Sequence, residues 1–229
     1  MLYWLGKVIF WVFFTVFCRW EVTGRENVPR RGPVVVVSNH ISLWDPIAVG
    51  VALPRRVYFM AKEELFRLPL VGLVLRGLGA FPVRRGEADL AAMRQALRLL
   101  RQGKVVGIFP EGGRSRRGTL EEFQRGAALL ALRTQAPLLP VALIGTNRIL
   151  GRRGAFYRFK VRVGPPIWPA PEAMLAKGTE VERYAALAQE AVGELLRQTE
   201  TNFFVREGFR SSKTKDNNVA RDRGGQMWR

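Results

Sequence analysis

Residues 33–52 read PVVVVSNHISLWDPIAVGVA. Val34 to Val37 form an unbroken apolar run, the pattern of a short strand covered on both faces. The polar Ser38-Asn39-His40 stop it, and a helix is expected from about Asp45 to Ala52. A buried strand followed by a helix predicts an α/β domain with a mostly parallel sheet flanked by helices. The loop between them carries His40 and Asp45 at the carboxyl end of a strand, where such folds place their active sites.

Working outward, the alternation continues. Val57–Ala61, Ala80–Val83, Val105–Phe109, Leu138–Ile144 and Tyr157–Val163 read as further strands. Glu63–Leu78 is an apolar helix broken or bent at Pro69. Glu87–Gln102 is amphipathic, with Leu90, Met93, Leu97 and Leu100 on one face and Gly103 ending it. Gly126–Gln135 reads as the next helix. Thr179 with Glu182 makes a capping box for a last one, expected to run to about Gln198. Three regions follow: residues 1–20 as a membrane-anchoring helix, 21–205 as one domain, and 206–229 as a basic tail expected to be disordered.

The first region decides how the domain meets its surroundings. Leu2 to Cys18 has one charge, Lys7, among seven aromatic residues. Seventeen helical residues reach about 26 Å, against a hydrocarbon core about 30 Å thick. That length suits either a shallow span or a helix lying in the interface, with a buried core helix as the alternative. A secretory signal is disfavoured, because Arg19-Trp20-Glu21 stands where a small-residue cleavage site belongs.

Composition narrows the chemistry. The 229 residues carry 37 Lys+Arg against 19 Asp+Glu, a net charge of +18, and 48% are hydrophobic. Such a charge invites nucleic acid, an anionic membrane or a phosphorylated substrate. Nucleic acid is disfavoured, because the aromatics crowd the apolar N-terminus instead of interleaving with the basic residues. One histidine and one cysteine exclude metal sites that need two of either, and any internal disulfide.

Two loops remain for catalysis. A histidine five residues before an aspartate folds back so that the carboxylate accepts one ring N–H, leaving the other nitrogen as a base. No Gly-x-Ser-x-Gly elbow is present. A base without an enzyme nucleophile implies that the substrate brings its own hydroxyl. The second loop, Phe109-Pro110-Glu111-Gly112-Gly113-Arg114-Ser115, joins glycines to an acid and an arginine, a composition suited to an anion.

Taken together, His40 to Asp45, Phe81 to Arg84, Phe109 to Gly112 with Arg114-Ser115, and Pro140 stand in one order and spacing. From about Glu21 to Gly164 the chain resembles the glycerolipid acyltransferase family, in particular its bacterial 1-acylglycerol-3-phosphate (lysophosphatidate) acyltransferases. Lys62-Glu63-Glu64-Leu65-Phe66 also resembles the family's segment between its first two blocks. The resemblance implies acyl transfer from acyl-CoA or acyl carrier protein to the sn-2 hydroxyl of lysophosphatidic acid. The product would be phosphatidic acid, for phospholipid biosynthesis. His40 would be the base and Asp45 its support, with Lys62, Arg84, Glu111, Gly112 and Arg114 on the acceptor phosphate. Glycerol 3-phosphate or another lysolipid is the alternative acceptor.

It implies no metal or cofactor beyond the thioester co-substrate, and a cell-membrane location with the domain on the cytoplasmic face. Two departures bear on the acceptor. Gly113 stands where the family usually has threonine, and Pro82-Val83-Arg84 lacks the carboxylate usual beside that arginine.

Overall fold

The computed structural model describes residues 2–84, 89–115, 118–149, 157–170 and 178–206, with the backbone alone over 199–206. The expected tail beyond 206 and the expected helix start at Glu87 lie outside these residues. Six α-helices are described: α1 (Leu2–Val16), α2 (Asp45–Ala52), α3 (Pro69–Gly77), α4 (Leu90–Arg101), α5 (Gly126–Thr134) and α6 (Thr179–Arg206). The strands are β1 (Glu21–Thr23), β2 (Val34–Ser38), β3 (Val57–Lys62), β4 (Phe81–Val83), β5 (Val105–Ile108), β6 (Leu138–Ile144) and β7 (Lys160–Val163).

They make one sheet in the order β1-β7-β6-β2-β5-β3-β4. All neighbours are parallel except β6 and β7, which are antiparallel. The mostly parallel α/β sheet is thus as expected. The reversal at β7 and the edge strand β1 were not legible. Both are short and borrow their order from their neighbours: Glu21–Thr23 pairs with Lys160–Arg162, far away in sequence.

The four valines of β2 show how the sheet is covered. Side chains alternate along a strand, so Val34 and Val36 pack with α1, α2 and Phe159 on one face. Val35 and Val37 pack with α4, α5 and α6 on the other. All four are buried, which is why the run is continuous and not alternating. Each such side chain contributes about 1.5–3 kcal/mol of transfer free energy.

Two helices differ from expectation. In α4 the buried face is Ala92, Ala96, Leu99 and Leu100, and Leu90 is 63% exposed. The stripe turns toward the alanines because they let α4 approach Ala127, Ala128 and Ala131 of α5 closely. Asp89 caps this helix by accepting from the N–H groups of Ala91 and Ala92. In α6, Thr179 is already helical, and Glu182 pairs with Arg125 at 3.2 Å instead of reaching back as a capping-box partner.

The helix α1 corrects the spanning form of the anchor. No helix among the described residues is long and apolar enough to cross a membrane. Fifteen residues reach about 22 Å, and one flank belongs to the core. Phe14 is fully buried and Tyr3 nearly so. The Tyr3 hydroxyl donates to the Gly50 carbonyl and accepts from the Val57 N–H. Lys7, the single charge in the segment, donates to the Leu53 carbonyl at the end of α2. The other flank, including Trp4, Leu5, Val8 and Ile9, is exposed.

Candidate active site

The carboxyl ends of β6, β2, β5, β3 and β4 share one edge of the sheet. The residues expected to act leave that edge from four different strands. His40 follows β2, Glu111 to Arg114 follow β5, Lys62 ends β3 and Arg84 follows β4.

His40 and Asp45 form the centre. The ring Nδ1 lies 2.8 Å from Asp45 Oδ2, and both residues are buried. Oδ2 also accepts from the N–H groups of Ile41 and Ser42, each at 2.7 Å. The other oxygen, Oδ1, accepts from the Thr146 hydroxyl at 2.5 Å. Asp45 opens α2, so its charge also meets the partial positive charge of that helix end. An ionised carboxylate accepts only, so Nδ1 carries the proton and Nε2 is left as an acceptor. Among the described residues no serine, threonine or cysteine side chain bonds to the His40 ring. Cys18 is buried, and burial pushes its thiol up to about 11.

The loop after β5 grips His40 from three sides. Phe109 stacks on the imidazole with centroids 4.2 Å apart and planes 20° apart. Glu111 Oε1 accepts from the His40 N–H at 3.1 Å. The Ser115 N–H donates to the His40 carbonyl at 2.8 Å. Behind Phe109 lies Phe59, stacked at 5.7 Å and 13°. There is room for that ring because Gly107 is opposite: a Cβ there would fall 2.2 Å from Phe59 Cε1.

Glu111 therefore sits on the histidine's backbone and not out among the arginines. Burial pushes its carboxyl up to about 7, opposed by the His40 N–H and reinforced by Glu121 and Asp45. Its Oε2 and the Ser115 hydroxyl are buried with no partner among the described residues. Gly112 has φ +73° and donates to the Phe109 carbonyl, so this N–H closes a turn. A side chain there would also strike Gln124. At Gly113 a Cβ would meet nothing within 4 Å, so the hydroxyl missing from the sequence leaves open space.

The basic residues stand further out. Lys62 pairs with Glu64 at 3.1 Å, and Arg114 is exposed. Arg84 Nε donates to Glu63 Oε2 at 2.8 Å. The carboxylate absent from the Pro82-Val83-Arg84 strand end is thus supplied by Glu63. Three strand steps separate β2 from β4, about 14 Å at 4.7–4.9 Å each, so Arg84 approaches His40 only by its side-chain length. Sequence reasoning missed the roles of Thr146 and Phe109. Only the strand-end position of Thr146, after Gly145, signalled it.

A mostly parallel α/β sheet thus carries at one edge a buried His40–Asp45 pair to whose ring, among the described residues, no serine, threonine or cysteine side chain bonds, an arrangement that suits a transferase whose acceptor brings the attacking hydroxyl. The chain belongs to the acyltransferase family: that family's model matches residues 19–144. It is 33% identical over 183 residues to a 1-acyl-sn-glycerol-3-phosphate acyltransferase of Bacillus subtilis, covering 79% of this chain and 87% of that one. It is 38% identical over 128 residues to the Borreliella burgdorferi protein of the same name, covering 55% of this chain and about half, 51%, of that one. A solved structure, the 1-acyl-sn-glycerophosphate (LPA) acyltransferase PlsC of Thermotoga maritima, superposes with a TM-score of 0.66 at 28% identity. That match covers 85% of this chain and 78% of the other.

Proposed function

We propose that this protein transfers a fatty acyl group from a thioester to the sn-2 hydroxyl of 1-acylglycerol-3-phosphate, forming phosphatidic acid. The observation that carries this reading is the His40–Asp45 bond, which leaves Nε2 as a base with, among the described residues, no hydroxyl or thiol bonded to it.

Nε2 takes the proton of the acceptor hydroxyl as that oxygen attacks the thioester carbonyl. The tetrahedral intermediate collapses, the C–S bond breaks, and the imidazolium returns its proton to the departing thiolate. Asp45 stabilises the imidazolium and fixes its tautomer. General-base assistance of this kind is worth about 10²–10⁴-fold in rate. Arg84, held by Glu63, with Lys62 and Arg114 nearby along the edge, supplies positive charge for the acceptor phosphate. Glu111 and Gly112 shape the loop between base and phosphate. Acyl-CoA and acyl carrier protein both fit this chemistry as donors.

The same reading sets the protein on a membrane, since acceptor and product carry acyl chains. The exposed flank of α1 meets α3: a Cβ at Gly77 would fall 2.2 Å from Leu2 Cδ2, and one at Gly6 would fall 3.0 Å from Leu78. Exposed Leu70 and Leu73 of α3 extend the apolar face, with Arg67 and Arg76 close by. Each basic residue near an anionic surface gains about 1 kcal/mol. An interfacial helix, not a span, is the form of anchor this arrangement favours, with the domain on the cytoplasmic face. The basic residues 207–229 would add to the same attraction.

The test is acylation of lysophosphatidate by purified protein in detergent or vesicles, with acyl-CoA and acyl-acyl carrier protein in turn and the product's acyl position determined. Glycerol 3-phosphate and other lysolipids serve as competing acceptors. Phosphatidic acid acylated at sn-2 is expected; acylation of glycerol 3-phosphate alone would overturn the proposed acceptor.

A further inference from the structure

We propose that Trp44 is a positioning residue for His40 and Asp45, and that the inner flank of α1 is the surface that holds it. The proposal rests on the reading of His40 as the base. Trp44 lies inside the catalytic loop and immediately precedes Asp45. Its N–H donates to the Ser42 hydroxyl at 3.2 Å, and its carbonyl accepts from Ala48 at 2.8 Å to open α2. Moving Trp44 therefore moves Asp45 through one peptide bond.

What fixes Trp44 is aromatic packing against α1. Its ring stacks on Phe13 at 5.9 Å and 14°. It meets Phe10 edge-on at 6.3 Å and Phe14 edge-on at 6.1 Å. Phe14 in turn meets the fully buried Phe159 edge-on at 4.9 Å, which ties the cluster to the core beside β7. Such aromatic pairs each contribute about 0.5–1.5 kcal/mol beyond their burial. The far end of α1 is fastened as well, by Tyr3 and Lys7 to Gly50 and Leu53. So α1 grips α2 at both ends, and the end it grips with aromatic rings carries Asp45.

Two functions are thereby separated onto two flanks of one helix. The outer flank, with Val8, Ile9 and Val12 exposed, serves lipid contact. The inner flank sets the geometry of the base. Residues 2–16 are part of the active site's support, and a merely tethering role does not account for the Phe13–Trp44 stack.

The chain's one histidine makes the test direct, because a histidine ring signal in a ¹³C-labelled sample belongs to His40. Trp44→Ala is expected to shift that signal and lower kcat roughly tenfold to a hundredfold, with KM for donor and acceptor held within about twofold. Trp44→Phe, which keeps a stacking ring, is expected to restore most of both. Val8→Ser, Ile9→Ser and Val12→Ser together should reduce binding to vesicles of phosphatidylglycerol and phosphatidylethanolamine while leaving the His40 signal in place. If Trp44→Ala fails to fold, Phe13→Leu decides by the same two readouts. A folded variant with unchanged kcat and an unchanged His40 signal overturns the proposal. If the wild-type protein shows no acyl transfer, the reading of function falls separately, and the His40 signal still decides whether Trp44 holds that ring.

Discussion

Asp45 accepts four hydrogen bonds, and one of them, from His40 Nδ1 at 2.8 Å, fixes which nitrogen of the histidine is basic. The other three come from groups that cannot titrate, the Ile41 and Ser42 N–H groups and the Thr146 hydroxyl. They hold the carboxylate in place and compensate its burial. Asp45→Asn preserves the shape but presents an amide to Nδ1, which favours the wrong tautomer. A fall in kcat of about 10³-fold or more is expected, with the melting temperature little changed. Steady-state kinetics with a folded variant check this; a loss of less than about tenfold would contradict the role given to Asp45.

Thr146 tests whether that carboxylate needs its fourth donor. Thr146→Val removes the hydroxyl without changing the volume much and leaves Asp45 Oδ1 buried and unpaired. The expected cost is about 1–3 kcal/mol of stability, read as a lower denaturation midpoint in urea, together with a smaller kcat. An unchanged midpoint would mean that water or another group takes over.

Behind the histidine, Gly107 tests the stack of three rings. Gly107→Ala drives a methyl group into Phe59, and such overpacking costs about 1–3 kcal/mol. The ring of Phe59 must leave its place behind Phe109, so kcat should fall along with stability. Adding Phe59→Leu relieves the clash without restoring the stack. The double variant should therefore regain stability and not activity. Recovery of both would show that His40 does not depend on Phe59.

Glu111 predicts a pH dependence with a definite sign. Its carboxyl is pushed up to about 7 by burial, against about 4.3 in an unfolded chain. Between those values the folded state keeps a proton that the unfolded state has released. Rising pH therefore removes stability across that window and no more above it. Glu111→Gln escapes the loss. Relative to wild type its melting temperature should improve from pH 5 to pH 8, and an equal difference at both pH values would contradict the burial argument.

Much of this was legible in the sequence because it is local. Val34 to Val37 announce a strand by being apolar without alternation. His40 and Asp45 are one turn apart, and their pairing needs no distant information. What escaped depends on contacts between segments far apart in the chain. Thr146 reaches Asp45 across 101 positions and Glu111 reaches His40 across 71, and no local pattern encodes either. The aromatic N-terminus read as membrane-seeking because lipid and a protein core select the same residues; only packing distinguishes Phe14, which is buried, from Trp11, which is exposed. Likewise, a carboxylate missing at residue 83 could not be traced to Glu63 until the β3–β4 pairing brought Glu63 beside Arg84.

His40 as the base for acyl transfer is open to a direct test. The most direct measurement is the initial rate of lysophosphatidate acylation by His40→Ala at saturating donor, beside wild type, with folding and vesicle binding confirmed for both. A loss of at least about 10²-fold is expected, set by the size of general-base assistance, with vesicle binding intact. A folded, membrane-bound variant retaining more than about a tenth of the wild-type rate would contradict it.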